Sequence, residues 1–326
     1  MSPDSVTVKK APGGNLLRNP LIGLVLLAAA FGLLIWNENK VDISQIAVKS
    51  VEIAADGTAD KDMQGKLVSV SGPLVSTEQL SDGQYLKPGA YVALERTVEM
   101  YAWMESSSST NSETQETYNY NKNWTTRPIG SGMFKSPVGH ENPVMAVQNY
   151  TRKATSAKVG AYSIDMSSVK LPETTPLSLN NDNVMYFPGS RIDGDVLFVG
   201  RGSPSSPEIG DLRIKYSVVE PNVFVTVFGA LQGTMLATYT DANNNSLYNM
   251  VKGNRAQALS NMQKSEVMMT WVARVIGLLL MWGGLIILSG KVAGLAAMNP
   301  MTMRIVMLLV ALVLTGAGVF IGTSMK

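Results

Sequence analysis

The sequence predicts an α+β membrane protein, with a mainly antiparallel β ectodomain carried by one N-terminal and two C-terminal transmembrane helices. Three observations lead there. Three apolar runs, at about 21–36, 268–290 and 305–321, approach the length that crosses a hydrocarbon core of about 30 Å. Residues 38–265, between the first two, are dominated by strand-like runs broken by Gly, Pro, Asn, Asp and Ser. The charged share is 16%, where soluble proteins average about a quarter, and 45% of residues are hydrophobic. That balance fits a soluble domain joined to membrane segments.

The first run, LIGLVLLAAAFGLLIW, carries no charge from Leu21 to Trp36. Lys9, Lys10 and Arg18 precede it, and Glu38 and Asp42 follow, so the positive-inside rule predicts a cytoplasmic N-terminus over 1–20. The small residues Ala28 to Ala30 raise the alternative of a cleaved signal peptide. They lie inside the run rather than after it, so 21–37 is expected to be an uncleaved signal anchor. The second helix is expected over 266–290, with Arg274 snorkelling from near its start. The third is expected over 305–322. Lys291 and Arg304 flank the loop 291–304, which the same rule makes cytoplasmic, and Pro300 breaks it. Gly318 and Gly322 form a small-xxx-small pair, with Gly316 nearby, and are expected to pack helices closely.

In the ectodomain, strands are predicted around Val68–Ser71, Tyr91–Met104, Val144–Tyr150, Val184–Phe187, Val196–Val199, Leu212–Val219 and Val223–Thr240. The polar stretch Ser106–Glu116 reads as an exposed loop between two paired strands. One arrangement is two small barrel- or sandwich-like subdomains, divided near Ser106–Glu116 or Ser156–Pro176. From about Ser246 the apolar spacing of Leu247, Met250, Val251, Ala258, Leu259 and Met262 suits a helix that runs on into the second span.

Few residue types are available for chemistry. The chain has no cysteine and a single histidine, His140, which excludes thiolate sites and a histidine-rich metal centre. The formal net charge of +2 is too small for a nucleic-acid binder. His140 invites a catalytic reading, and serines abound, but no G-x-S-x-G elbow exists. Its setting, Val138 to Pro143, reads as a turn holding a structural histidine. Pro207 to Arg213 alternates charges at a strand start. Glu208 and Asp211 alone supply too few oxygens for a metal, and a turn with a surface ion pair is expected. The glycines Gly189, Gly194, Gly200 and Gly202 lack phosphate-loop spacing. The aromatics Tyr101, Trp103, Tyr118, Tyr120 and Trp124 are expected to be cross-strand pairs of one sheet.

Four of these stretches, taken in order, resemble the transmembrane protein 43 family, also called LUMA. They are Val98–Trp103 (VEMYAW), Tyr118–Trp124 (YNYNKNW), Gly139–Pro143 (GHENP) and Pro207–Arg213 (PEIGDLR). The resemblance covers most of the ectodomain and the plan of one N-terminal and several C-terminal helices. It implies a non-enzymatic membrane protein that self-associates and organises other membrane proteins, and it carries over no catalytic residue. This chain shows three of the family's four helices, and its short loops and compact anchor read as bacterial. The ectodomain would then be periplasmic at the inner membrane, or lumenal in a eukaryote.

The expected function is therefore a homo-oligomeric membrane scaffold without cofactor or metal. Its partners would be itself, the lipid bilayer and other membrane proteins, and no nucleic acid. The motif residues His140, Glu141, Asn142, Pro143, Glu208, Gly210, Asp211 and Arg213 are taken as structural. Gly316, Gly318 and Gly322 are taken as helix-packing positions. Two alternatives stand beside this reading: a membrane-anchored hydrolase using His140, and an oligomeric channel component.

Overall fold

The computed structural model describes residues 5–9, 19–58, 61–109, 115–290 and 292–325. Along the chain these form β1 (Ser5–Lys9), α1 (Pro20–Asn39), α2 (Ile43–Val48), β2 (Val51–Ile53), β3 (Leu67–Val75), β4 (Ala93–Ser109), β5 (Gln115–Thr125) and β6 (Tyr150–Lys153). There follow β7 (Ala157–Val159), β8 (Tyr162–Ile164), β9 (Thr175–Pro176), β10 (Ser190–Asp193), β11 (Val196–Val199), β12 (Leu212–Val219), β13 (Phe224–Gln232) and β14 (Met235–Ala237). The last elements are β15 (Tyr239–Thr240), β16 (Ser246–Leu247), β17 (Asn249–Lys252), α3 (Arg255–Ser289), α4 (Ala293–Ala296) and α5 (Pro300–Ser324). They divide into a β unit, Ser50–Ala258 with β1, and a helical unit holding α1, α2, α4, α5 and most of α3.

The β unit has two large sheets, each lining a core among the described residues, and a small two-stranded sheet, β15–β16. In one sheet, β13, β14, β8, β7 and β3 pair in a ring that closes through the β13–β3 ladder, giving a five-stranded barrel. Alternation drives it. Val68 and Val70 of β3 and Val225 and Val227 of β13 fill the barrel core with Tyr162 and Leu236. Ser71, which follows Val70, meets Thr226, which lies between Val225 and Val227, across the ladder at 2.9 Å. The other sheet runs β1-β5-β4-β12-β11-β10, with β6 beside β4 and β9 beside β12. Its core takes alternate residues of the central pair: Leu94, Val98 and Met100 from β4, and Leu212, Ile214 and Val218 from β12.

A charged residue occupies the same inward phase. Arg96, 6% exposed, donates to the fully buried Asp82 carboxylate at 2.6 Å and to the Gln148 carbonyl at 2.9 and 3.1 Å. The second oxygen of Asp82 accepts amides from Gln84, Tyr85 and Leu86, and Tyr216 donates its hydroxyl to the carboxylate at 2.5 Å. A buried ion pair survives when its remaining hydrogen-bonding capacity is filled in this way.

Several expectations shift. The barrel strands β7 and β8 lie inside the stretch 156–176, and the stretch 106–116 is a hairpin tip, so neither divides two subdomains; the chain crosses between barrel and sheet more than once. β4 and β5 pair as far as Ser109↔Glu116, and residues 110–114 of the expected loop lie outside the described residues. Val144–Tyr150 enters a strand only at Tyr150, and Val184 makes one isolated bridge to Leu86. The helix begins at Arg255 rather than Ser246, because Asn249–Lys252 pairs as β17 on β13. Gly253 turns the chain with φ +99, and a reciprocal pair of bonds between Asn254 and Gln257 starts the helix, as a capping box does.

β1 also departs from expectation. Its alternating Ser-Val-Thr-Val-Lys lies along β5, from Ser5↔Asn119 to Lys9↔Gln115. A strand bonded to this sheet lies on the same side of any membrane as the sheet itself. This pairing and a cytoplasmic segment over 1–20 therefore exclude each other within one chain.

Among the described residues of the helical unit, three helices are long and apolar enough to cross a membrane. Asn19 and Asn299 cap α1 and α5, each followed by Pro at the first helical position. α4 has four residues, a turn rather than a crossing. α1 is central: Ala30 and Leu34 pack with Met281 and Ala311. Gly23 lies against Leu288 and Gly284, and Leu34 against Gly277, so α3 runs antiparallel to α1. Leu34 meets Gly318 and Glu38 meets Gly322, so α5 runs parallel to it.

Candidate functional site

The four sequence motifs converge on one face of the β4–β5 hairpin. The register Tyr101↔Trp124, Trp103↔Lys122 and Glu105↔Tyr120 brings six side chains to that face. The Tyr101 and Trp124 rings lie 5.3 Å apart, the Lys122 ammonium sits 4.7 Å over Trp103, and the Arg213 guanidinium sits 4.1 Å over Trp124. These are cross-strand and cation–π pairs, each worth about 0.5–1 kcal/mol at exposed sites.

His140 is fully buried against this face. Its ring stacks on Tyr120 at 3.9 Å and meets Trp103 edge-on at 4.7 Å. Nδ1 lies 2.9 Å from the Ser136 carbonyl, which assigns it the proton, and Nε2 meets no hydrogen-bond partner. Tyr120 in turn donates to Glu105 at 2.7 Å, and the Ser136 and Lys135 amides donate to Tyr120 and Glu105. Among the described residues no serine or acid side chain is hydrogen-bonded to the imidazole, as activation of a nucleophile needs.

The neighbours of His140 hold the loop in place. Glu141 accepts the Gly139 amide at 2.9 Å, which holds its carboxyl below the usual range. Asn142 acts as a surrogate strand for Trp103: Oδ1 accepts the Trp103 amide at 2.7 Å, and Nδ2 donates to the Trp103 and Ile129 carbonyls, each at 2.9 Å. Pro143 packs on Gly210, where a Cβ would lie 2.9 Å from the proline Cγ and φ is +98. The loop through Gly139–Pro143 and the turn through Pro207–Arg213 are thus joined at one point.

That turn is anchored by its backbone. Gly210 donates its amide to Tyr101 at 2.9 Å, and the Tyr101 amide returns to Asp211 at 2.8 Å. The Asp211 carboxylate, 3% exposed, accepts amides from Arg201 at 2.9 Å, Gly202 at 3.2 Å and Glu208 at 2.7 Å. A Cβ at Gly200 or Gly202 would fall 2.0 or 2.5 Å from that carboxylate, so only glycine fits at either. The expected surface ion pair is replaced: Asp211 is buried on amides and Arg213 stacks on Trp124. Glu208 contributes its backbone amide. Among the described residues no group of three or more acidic or histidine side chains is placed to hold a metal.

Of the helix glycines, Gly318 and Gly322 are buried against α1 of the same chain. A Cβ at Gly318 would lie 3.1 Å from Leu34, and one at Gly322 would lie 2.7 Å from Glu38. Gly316 faces open space. Sequence reasoning missed Asp82 and Arg96. The signal available was an arginine in the inward phase of a strand, between Leu94 and Val98. It also missed the pair made by Glu38 and Arg274, whose bidentate bonds measure 2.9 and 3.0 Å.

A β domain built from a mixed barrel and an antiparallel sheet, in a chain with three membrane-length helices among the described residues, defines an integral membrane protein. The family profile described as Transmembrane protein 43 matches residues 100–324. The chain belongs to the transmembrane protein 43 family. It is 28% identical over 295 residues to Transmembrane protein 43 of Rattus norvegicus, covering 81% of this chain and 72% of the relative. The Homo sapiens protein is also 28% identical, over 290 residues and the same shares. The homolog of Drosophila melanogaster is 26% identical over 284 residues, covering 81% and 74%. No solved structure matches.

Proposed function

We propose that the protein is a non-enzymatic membrane scaffold that self-associates through its β domain and organises other membrane proteins, with that domain outside the cytoplasm of a bacterial cell. One observation carries this reading. The loop stapled by His140, Asn142 and Pro143 holds Ile129, Met133, Val138 and Val144 at 43%, 81%, 76% and 92% exposure. Large apolar side chains on a rigid loop are characteristic of protein contact surfaces. The same patch on two copies gives a closed, two-fold interface. The packing of His140 supports the absence of catalysis, and none of the matched relatives' names denotes an enzyme. Because the glycines of α5 already face α1 of the same chain, the proposal puts self-association in the β domain.

Native mass spectrometry of the intact chain in mild detergent tests it. The expected result is a discrete multiple of 35.0 kDa. Met133→Asp with Val144→Asp is expected to give monomer with little change in stability, about 0.5 kcal/mol for each exposed position. A monomeric wild type, or a multimer indifferent to both substitutions, refutes the proposal.

A further inference from the structure

The helical unit contains a cavity of about 280 Å³, rimmed by charged side chains, between the end of α1 with the residues that follow it and the stretch 266–274 of α3. Its wall combines both charges. Glu38, Asp42 and Glu266 supply carboxylates, and Lys40 and Arg274 supply cations. Arg274 is held by the two bonds to Glu38, and Lys40 meets Glu266 at 3.2 Å. Asp42 spends Oδ1 on the amide and hydroxyl of Ser44, at 2.9 and 2.6 Å. The formal balance of the wall is therefore −1. Ionisable groups at the end of a membrane span lie at the level of the lipid headgroups. On the adjacent surface of α3, Val267 and Trp271 are 59% and 58% exposed, and a tryptophan at this level belongs to the belt that sits among lipid headgroups.

We propose that this cavity binds the zwitterionic headgroup of a phospholipid, with its ammonium on Asp42 and Glu266, its phosphate on Lys40, and its acyl chains along Val267 and Trp271. The charge of the wall selects this chemistry. A headgroup with phosphate alone would face three carboxylates with both cations of the wall already paired. A zwitterion exchanges one ion pair for two and leaves the balance unchanged. The position selects the source: the cavity lies at the end of the apolar run of α1, where Trp36 gives way to Asn37, and the ligand that is abundant there is lipid.

The experiment uses the full chain in mild detergent, offered phosphatidylethanolamine, phosphatidylglycerol or soluble O-phosphoethanolamine, with bound molecules counted by native mass spectrometry. One phosphatidylethanolamine per chain is expected to saturate first, with about a tenfold preference over phosphatidylglycerol, the worth of one charge-assisted hydrogen bond. Asp42→Asn keeps a residue that caps α2 and preserves both ion pairs, and is expected to remove about the same factor without lowering the melting temperature. Lys40→Gln with Glu266→Gln is expected to lower retention further. Equal or better retention of phosphatidylglycerol, binding that never saturates, or retention unchanged in both variants overturns the proposal. Equal binding of O-phosphoethanolamine overturns the lipid assignment.

Discussion

The β domain and the helical bundle both bury carboxylates, and they satisfy them by opposite means. Asp82 and Asp211 are surrounded by backbone amides, three apiece, donated by loops whose amides have no ladder partner. Glu38 sits at the end of a helix whose amides are already committed to the i−4 carbonyls, so it is matched by the side chains of Arg274 and Asn37. Room for it comes from a missing side chain, at Gly322. A loop can solvate an anion with its own backbone, whereas a helix must bring a second helix to it.

The largest effect separating the two regions is expected at Asp82. Removing one partner strands Arg96 in the sheet core, so Asp82→Ala should cost about 3–5 kcal/mol in chemical denaturation of the β domain. Burial alone would raise the Asp82 carboxyl. The Tyr216 hydroxyl, the Leu86 and Gln84 amides and the Arg96 guanidinium outweigh it and hold the group below the usual carboxylate range. Because the folded value lies under the unfolded value of about 4, this stabilisation is complete above that pH and is lost as pH falls through the folded value. Asp82→Asn should therefore flatten the loss of stability in acid, and an unchanged acid limb would remove Asp82 from its cause.

A middle-sized effect is expected in the bundle. Gly318→Leu or Gly322→Leu overpacks α5 against α1, at about 1–3 kcal/mol, seen as a lower melting temperature in detergent. Gly316→Leu faces open space and should change little. If all three behave alike, the glycines do not set the packing of α1.

The third test carries no expected energy change and sharpens the boundary between the two regions. The chain has no cysteine, so Ser5→Cys introduces a single thiol. In intact cells a membrane-impermeant maleimide labels it if Ser5–Lys9 pairs with β5 on the outside. It stays unlabelled if the basic N-terminus remains in the cytoplasm.

Much of the architecture follows from local pattern. Leu212–Val219 is a strand with the limits its alternation suggests, and the three apolar runs are helices, α1 and α5 capped at their starts by Asn19 and Asn299. Other features depend on partners far along the chain. Met250 and Val251 satisfy a helical spacing, but β13 lies beside them and takes them as a strand. The structural sense of GHENP lies in Asn142 imitating a strand beside Trp103, 39 residues away, and that pairing leaves no periodic trace. Glu38 looks like an ordinary charge after a membrane run until Arg274 is seen to meet it.

The position of α1 has a consequence for how the chain is made. It leaves the ribosome before α3 and α5, yet its packing surface is completed by those two. Arg274 follows Glu38 by 236 residues. At about 5–20 residues per second, Glu38 waits roughly 10–50 seconds for its counter-charge, and Leu34 waits longer still for Gly318. During that interval the nascent helix carries a carboxylate without Arg274 and an open groove. Its early lodging in the translocation machinery must tolerate both, so substitutions at Glu38 would register in insertion yield before they register in the stability of the finished protein.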